Sequence, residues 1–448
     1  MASILYLFLV VSLLISGGKL AFAKSEAFES GVLETEAEHF SDSTPHPKEN
    51  AHFYDLTPDA RDALLADKSN RISDLFSVPR GIRHMTGFWL EIYAKYSSLQ
   101  TVLYDREHPN FVYDVVDLRD LFKKGSSPVV IELTGKKRIQ NKLNEIRSAI
   151  DQISKNSSVR FKPGSAGAKL VRYWGRKPKI GWAKVRENLR TQTGQRDRVI
   201  QGITHAERFI PAMEAIFKDF NLPVELTRLP LVESSFNLKA VSKADAVGVW
   251  QFLERSALEY MKVDEKNKID ERLSPIKSTY GAAKMFVRNY RLLGDYALAI
   301  IAYNHGQRNL IKLRHKYRTE NISALLRSEN SPLGYASRNY YAEFLAMLIA
   351  EEYRDELFGL PLTREVEHVS IVKLKAPSSM FDVAAHYRLS LQEIKIFNPD
   401  IFDLKRTLPV GTRVVIPRKV DQAFVEKEKS RSPSSEAPQI AGEVINLY

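Results

Sequence analysis

One carboxylate stands out as a candidate for proton chemistry. Glu233 follows Leu229-Pro230-Leu231-Val232 and precedes Ser234-Ser235-Phe236-Asn237. The run from Asn221 to Val232 reads as a helix, with Pro223 at a first helical position and Leu222, Leu226, Leu229 and Val232 on or near one face. Glu233 then falls at or just past the helix C-terminus. The partial negative charge there and the apolar neighbours both disfavour an anion. A carboxyl so placed keeps its proton towards neutral pH, as a general acid must. The competing reading of an isolated Val-Glu-Ser-Ser is an ordinary helix-end glutamate. Glycosidases use two carboxylates, and the candidates for a second are Asp245, Asp270, Glu271 and Glu225.

Three further clusters follow in order: Gly248-Val249-Trp250-Gln251-Phe252, Ala302-Tyr303-Asn304-His305-Gly306 and Arg338-Asn339-Tyr340-Tyr341. With Glu233 they resemble the catalytic domain of the lytic murein transglycosylases, related to goose-type lysozyme, and within these the membrane-bound lytic murein transglycosylase D group. The resemblance runs from about Gln195 to Glu352. It implies that no second carboxylate takes part. One glutamate protonates the bridging oxygen between N-acetylmuramic acid and N-acetylglucosamine. The carboxylate then takes the proton of the muramic 6-hydroxyl as that oxygen closes on its own anomeric carbon. An intramolecular nucleophile has a high effective molarity, so no water need be oriented. Asp245 and the Asp270-Glu271 pair then become surface or cap residues.

The resemblance also assigns roles. Ser234 is a hydrogen-bonding residue at the cleft, or simply a helix-end serine. Gly248 and Gln251 match a Gly-Leu-Met-Gln motif whose glutamine contacts sugar, and a glycine there lets sugar approach the backbone. Trp250, within that motif, either stacks on a sugar or packs in the core. Tyr303 and Asn304 match an Ala-Tyr-Asn motif. Tyr303 is expected to place its hydroxyl on Glu233, and Asn304 to bind sugar. His305 replaces the usual alanine and is expected to face solvent. Tyr340 matches the tyrosine of Arg-Asn-Tyr, on the far side of the glutamate.

These residues need helices to hold them. Gln195 to Phe220 reads as one long helix kinked at Pro211. Ser274-Pro275 starts another that Gly294 stops, and Asp295 caps the next. That helix, Tyr296 to Asn304, is apolar nearly all round and so should be central. Upstream, residues 51–194 form a mostly helical region with no readable role. Trp89, Ile92, Tyr93 and Tyr96 sit at helical spacing, as a core stripe rather than a sugar platform. Phe111 to Val116 and Val129 to Leu133 read as strands, and Ile139, Leu143, Ile146, Ile150 and Ile153 as an amphipathic helix. Downstream, residues 367–418 read as a βααβ unit resembling a LysM module. Ala376-Pro377-Ser378-Ser379 stands where that family has Gly-Asp-Thr, so the fold is expected rather than retained sugar binding.

The 448-residue chain has room for several cores, and its 44% hydrophobic and 27% charged content is ordinary for a globular protein. It has no cysteine, which excludes thiol nucleophiles, disulfides and cysteine zinc sites. No P-loop, His-Glu-x-x-His or Gly-x-Ser-x-Gly occurs, so neither metal nor cofactor is expected. Residues 1–23 read as a secretory signal ending in Ala21-Phe22-Ala23, its apolar run short of the ~20 residues that span a bilayer. Residues 24–50 read as a disordered linker and 419–448 as a disordered tail. The net charge of +12 suits an acidic wall or membrane surface. A basic aromatic segment, Lys169 to Lys184, has a composition that also fits nucleic acid, but export argues against that partner.

The expectation is therefore a mainly α, exported protein whose residues 195–360 form a lysozyme-like helical domain acting on peptidoglycan glycan strands. Two alternatives stand beside it: a lysozyme-type hydrolase, and a non-catalytic wall-binding scaffold.

Overall fold

A computed structural model describes residues 56–317, 326, 333, 335–362, 368–417 and 441–447. The expected signal, linker and most of the tail lie outside these described residues. After α1 (Pro58–Leu65), capped by Thr57, comes α2 (Arg83–Ala94). Trp89, Ile92 and Tyr93 on α2 are buried, a core stripe as expected. β1 (Gln100–Asp105) and β2 (Val112–Asp117) pair antiparallel, and β3 (Leu189–Thr193) adds to the other edge of β1. α3 (Arg119–Lys123), α4 (Pro128–Lys155), α5 (Ala166–Trp174) and α6 (Trp182–Asn188) lie between β2 and β3 in the chain. A core of its own joins these helices to the sheet through Tyr113, Ile146, Ile150, Leu170 and Val185.

Val129 to Leu133 is not a strand but the start of α4. Ser127 caps this helix and Pro128 occupies its first turn, so β-branched side chains are overridden by a strong local start. Val129, Val130 and Leu133 are exposed, with no sheet face to bury them.

The expected long helix is two: α7 (Arg196–Ala206) and α8 (Ile210–Asp219). Pro211 lies in the first turn of α8, where its missing N–H costs nothing, whereas mid-helix it would clash with the preceding turn. The helix expected from Asn221 to Val232 is likewise shorter. A 3₁₀ turn over Val224–Arg228 leads into α9 (Leu229–Ser234), with Pro230 in the first turn of α9. α10 (Glu254–Ala257) and a two-strand ribbon of β4 (Val263–Asp264) and β5 (Ile269–Asp270) follow.

α11 (Pro275–Leu293) runs from the Ser274 cap to Gly294, whose φ of 71° ends it, and Asp295 caps α12 (Tyr296–His305). α13 (Gln307–Tyr317), α14 (Tyr335–Glu352) and α15 (Arg354–Phe358) complete the helical body. α12 is buried from Ala297 to Ala302 and α14 from Ser337 to Glu351. One continuous core joins α2 to α7, α8, α9, α11, α12 and α14. Residues 56–104 are therefore not separate from the helical domain.

β6 (Val369–Leu374), α16 (Met380–Tyr387), α17 (Leu391–Phe397) and β7 (Arg413–Pro417) form the expected βααβ unit, with capping boxes at Ser379 and Ser390. Seven residues expected in a disordered tail instead form β8 (Ala441–Leu447), antiparallel to the free edge of β6. The unit is pinned to α11 by a fully buried pair, Lys277 Nζ to Asp400 Oδ2 at 2.6 Å.

Candidate active site

Glu233 is in the last turn of α9. Leu229, Pro230 and Leu231 are buried and fix the helix in the core. Ser235 and Phe236 both take positive φ, 49° and 54°, and turn the chain sharply away. Phe236 is buried and stacks on Phe209 at 5.7 Å. Glu233 itself is half-buried. Burial lifts its carboxyl, the Tyr340 hydroxyl bond partly opposes this, and the result is about 7. A charged carboxylate loses hydration there that one hydroxyl cannot replace.

Tyr340, on α14, donates its hydroxyl to Glu233 Oε1. Burial and then the Glu233 charge hold this phenol well above its ordinary value, so it stays a donor. The sequence expectation gave this contact to Tyr303. Instead, Tyr303 donates to the Trp250 carbonyl at 2.7 Å and stacks on Phe286 at 5.3 Å. Tyr303 is near enough for the Glu233 charge, after burial, to push its phenol up. The difference follows from α14, whose long-range packing brings Tyr340 to the acid first.

The remaining motif residues mostly build the wall. Ser234 is buried and its hydroxyl lies 3.0 Å from the Val249 carbonyl and 3.1 Å from that of Pro230. It ties α9 to the turn that follows rather than lining a cleft. In that turn Gly248 has φ 77°, and a Cβ on it would stand 2.0 Å from the Arg272 carbonyl oxygen. Protein backbone, rather than sugar, requires the glycine. Gln251, with φ 51°, donates its amide to the Gly248 carbonyl at 2.8 Å and the Ala240 carbonyl at 3.3 Å. Trp250 is fully buried, bonds Thr279 at 2.9 Å and stacks on Phe217 at 5.9 Å, which makes it a core residue. At the end of α12, Asn304 Oδ1 and His305 Nδ1 lie 3.4 and 2.9 Å from Ser337 Oγ on α14. His305 is half-buried, and burial lowers its pKa. It is a structural link, not a free surface group.

None of the second carboxylates sought in the sequence is found bonded within this group. Asp245 is exposed, Asp270 binds Arg272, and Glu271 binds Arg413. The carboxyl that feels the Glu233 charge is not among those candidates. Glu343 lies one turn beyond Tyr340 on α14 and is 8% exposed. Burial, and then the Glu233 charge, push it to about 8. The i, i+3 spacing from Tyr340, which puts both on one helix face, was the available signal. Among the described residues no group of three or more His, Cys, Asp or Glu is placed to hold a metal.

A half-buried acid at the end of a short helix is thus bonded by a tyrosine from a central helix. Residues 212–326 match the family described as the Transglycosylase SLT domain. It is 28% identical over 236 residues to Membrane-bound lytic murein transglycosylase D of Escherichia coli (strain K12), covering 49% of this chain and 52% of that protein. It is 39% identical over 93 residues to a Putative tributyltin chloride resistance protein of Alteromonas sp. (strain M-1), covering 20% of this chain and 44% of the other. The chain thus spans about half the length of the curated relatives it matches.

Proposed function

We propose that the protein is a lytic transglycosylase of the cell envelope. It would cleave the β-1,4 bond between N-acetylmuramic acid and N-acetylglucosamine in peptidoglycan and leave a 1,6-anhydro end. The observation that carries this reading is Glu233, set near neutrality by burial and held by Tyr340 within an SLT domain. At neutral pH about half of such carboxyls carry the proton. Glu233 gives that proton to the glycosidic oxygen as the C1–O bond breaks. Tyr340 then stabilises the carboxylate left behind. The muramic O6 attacks C1, and its proton returns to Glu233. The sugar expelled keeps the first proton, and no water is used. Gln251 and Asn304 are the proposed sugar-binding residues, with Gly248 and Ser234 shaping the turn beside them.

The hydrolase alternative needs a second carboxylate to activate or replace water. Glu343 is the carboxyl that the Glu233 charge reaches, and burial with that charge keeps it mainly neutral at pH 7. A neutral carboxyl is not a base, which favours the anhydro reaction. Export belongs to the same proposal. No helix among the described residues is long and apolar enough to cross a membrane.

The test is mass spectrometry of muropeptides released from purified sacculi. The expected fragments are lighter than hydrolysed ones by one water, and Glu233→Gln releases none while still sedimenting with sacculi. Fragments carrying the extra water would establish the hydrolase. Binding without release by the wild type would leave the scaffold.

A further inference from the structure

Residues 338–340 are consecutive on α14 yet bind three different parts of the molecule. Successive residues of an α-helix are turned by about 100°. Arg338 reaches Glu107, in the turn between β1 and β2, through two bonds of 2.9 and 3.0 Å. Asn339 accepts the Trp89 indole N–H, from α2, at 2.9 Å. Tyr340 reaches Glu233. A fourth tie joins the hydroxyls of Tyr335, at the start of α14, and Tyr104 on β1. The Arg338 and Glu107 side chains are 10% and 11% exposed, so the fork is shielded from water and from most screening by salt. Burial alone would raise the Glu107 pKa, but Arg338 and then Arg106 hold it below its ordinary value. It is an anion at any pH at which the site would work.

We infer that the N-terminal region is a brace for the catalytic acid, with Glu107 and Trp89 as positioning residues that fix the rotation of α14 and so aim the Tyr340 hydroxyl at Glu233. Tyr340 lies in the second turn of α14, where a helix end would otherwise fray. Two pins on adjacent residues, pulling in different directions, remove rotation about the helix axis. This gives residues 56–194 a task within the proposed reaction, and the inference rests on that reading for its kinetic part. Its geometric part stands on the ties themselves.

The variants are Glu107→Gln, which keeps shape and loses charge, and Trp89→Phe, which keeps the ring and loses the donor. Neither residue bonds to Glu233. The ionisable groups around Glu233, namely Tyr93, Tyr303, Tyr340 and Glu343, are unchanged in both. A misaimed donor stabilises the carboxylate less, so the Glu233 titration followed by carboxyl ¹³C resonance moves above the wild-type midpoint. The rate of anhydromuropeptide release falls on the order of tenfold to a hundredfold with KM unchanged. A merely structural role would lower Tm and leave the midpoint and the rate per folded molecule where they were. That result overturns the brace, as does wild-type behaviour in both variants. The ¹³C titration needs no substrate. A wild type that releases no anhydro product therefore sinks the functional reading alone, and an unmoved midpoint sinks the brace alone.

Discussion

At the scale of the residue, the two tyrosines near Glu233 separate cleanly. Tyr340 donates its hydroxyl hydrogen bond to the carboxylate, and Tyr303 donates its own to a backbone carbonyl. A hydrogen bond to a charged group is worth roughly 1.5–3 kcal/mol. Tyr340→Phe should therefore cut kcat/KM by about tenfold to a hundredfold. The direction on pH is fixed as well. Burial raises the Glu233 pKa and Tyr340 lowers it, so removing the hydroxyl moves the alkaline limb of the rate profile upward. Tyr303→Phe should leave that limb in place and lower Tm, because it strands the Trp250 carbonyl. Rate–pH profiles and melting curves of the two variants decide it, and a shifted limb for Tyr303→Phe would return the role to that residue. The helix-end, apolar setting that raises the Glu233 pKa was legible in the sequence, since its neighbours within four residues supply much of it. Its hydroxyl partner was not, because which tyrosine arrives first depends on how α14 packs, a contact 107 residues away.

At the scale of the element, local signals were legible and distant ones were not. Ser274-Pro275, Gly294 and Asp295 delimit α11 and α12 as their caps foretold. β1 and β3 carry no comparable mark, because a strand is specified by partners that lie elsewhere in the chain. The turn at Gly248 shows how a correct motif can carry a different cause. A glycine is required there by the Arg272 carbonyl and by its own φ of 77°. Gly248→Ala has to move one backbone segment or the other, and left-handed φ adds about 1–2 kcal/mol. The turn also holds Gln251 and accepts bonds from Ser234 and Tyr303. The expected outcome is a loss of both stability and activity in Gly248→Ala, measured by urea unfolding and muropeptide release. An alanine variant as stable as the parent but unable to release fragments would instead favour close approach by sugar.

At the scale of the whole molecule, the site places a strain on stability that depends on pH. Glu233 and Glu343 are pushed to about 7 and about 8 in the folded protein, from an ordinary 4.5. The folded state therefore holds protons that the unfolded chain has already released. Their contribution to stability is complete below about pH 4.5 and is lost as pH rises through the folded values. Each unit of separation is worth about 1.4 kcal/mol, so the loss from pH 5 to 8 is on the order of a few kcal/mol. Glu343→Gln imitates the protonated form and cannot ionise. Its stability relative to the wild type should climb between pH 5 and 8 and then level off, whatever fixed penalty the amide carries. Titrating groups not coupled to Glu343 are common to both proteins and cancel in the difference. Urea unfolding of the pair across that range reads the slope directly. Parallel curves would mean that Glu343 already ionises in the fold, which would restore a second carboxylate beside Glu233 and reopen the hydrolytic route.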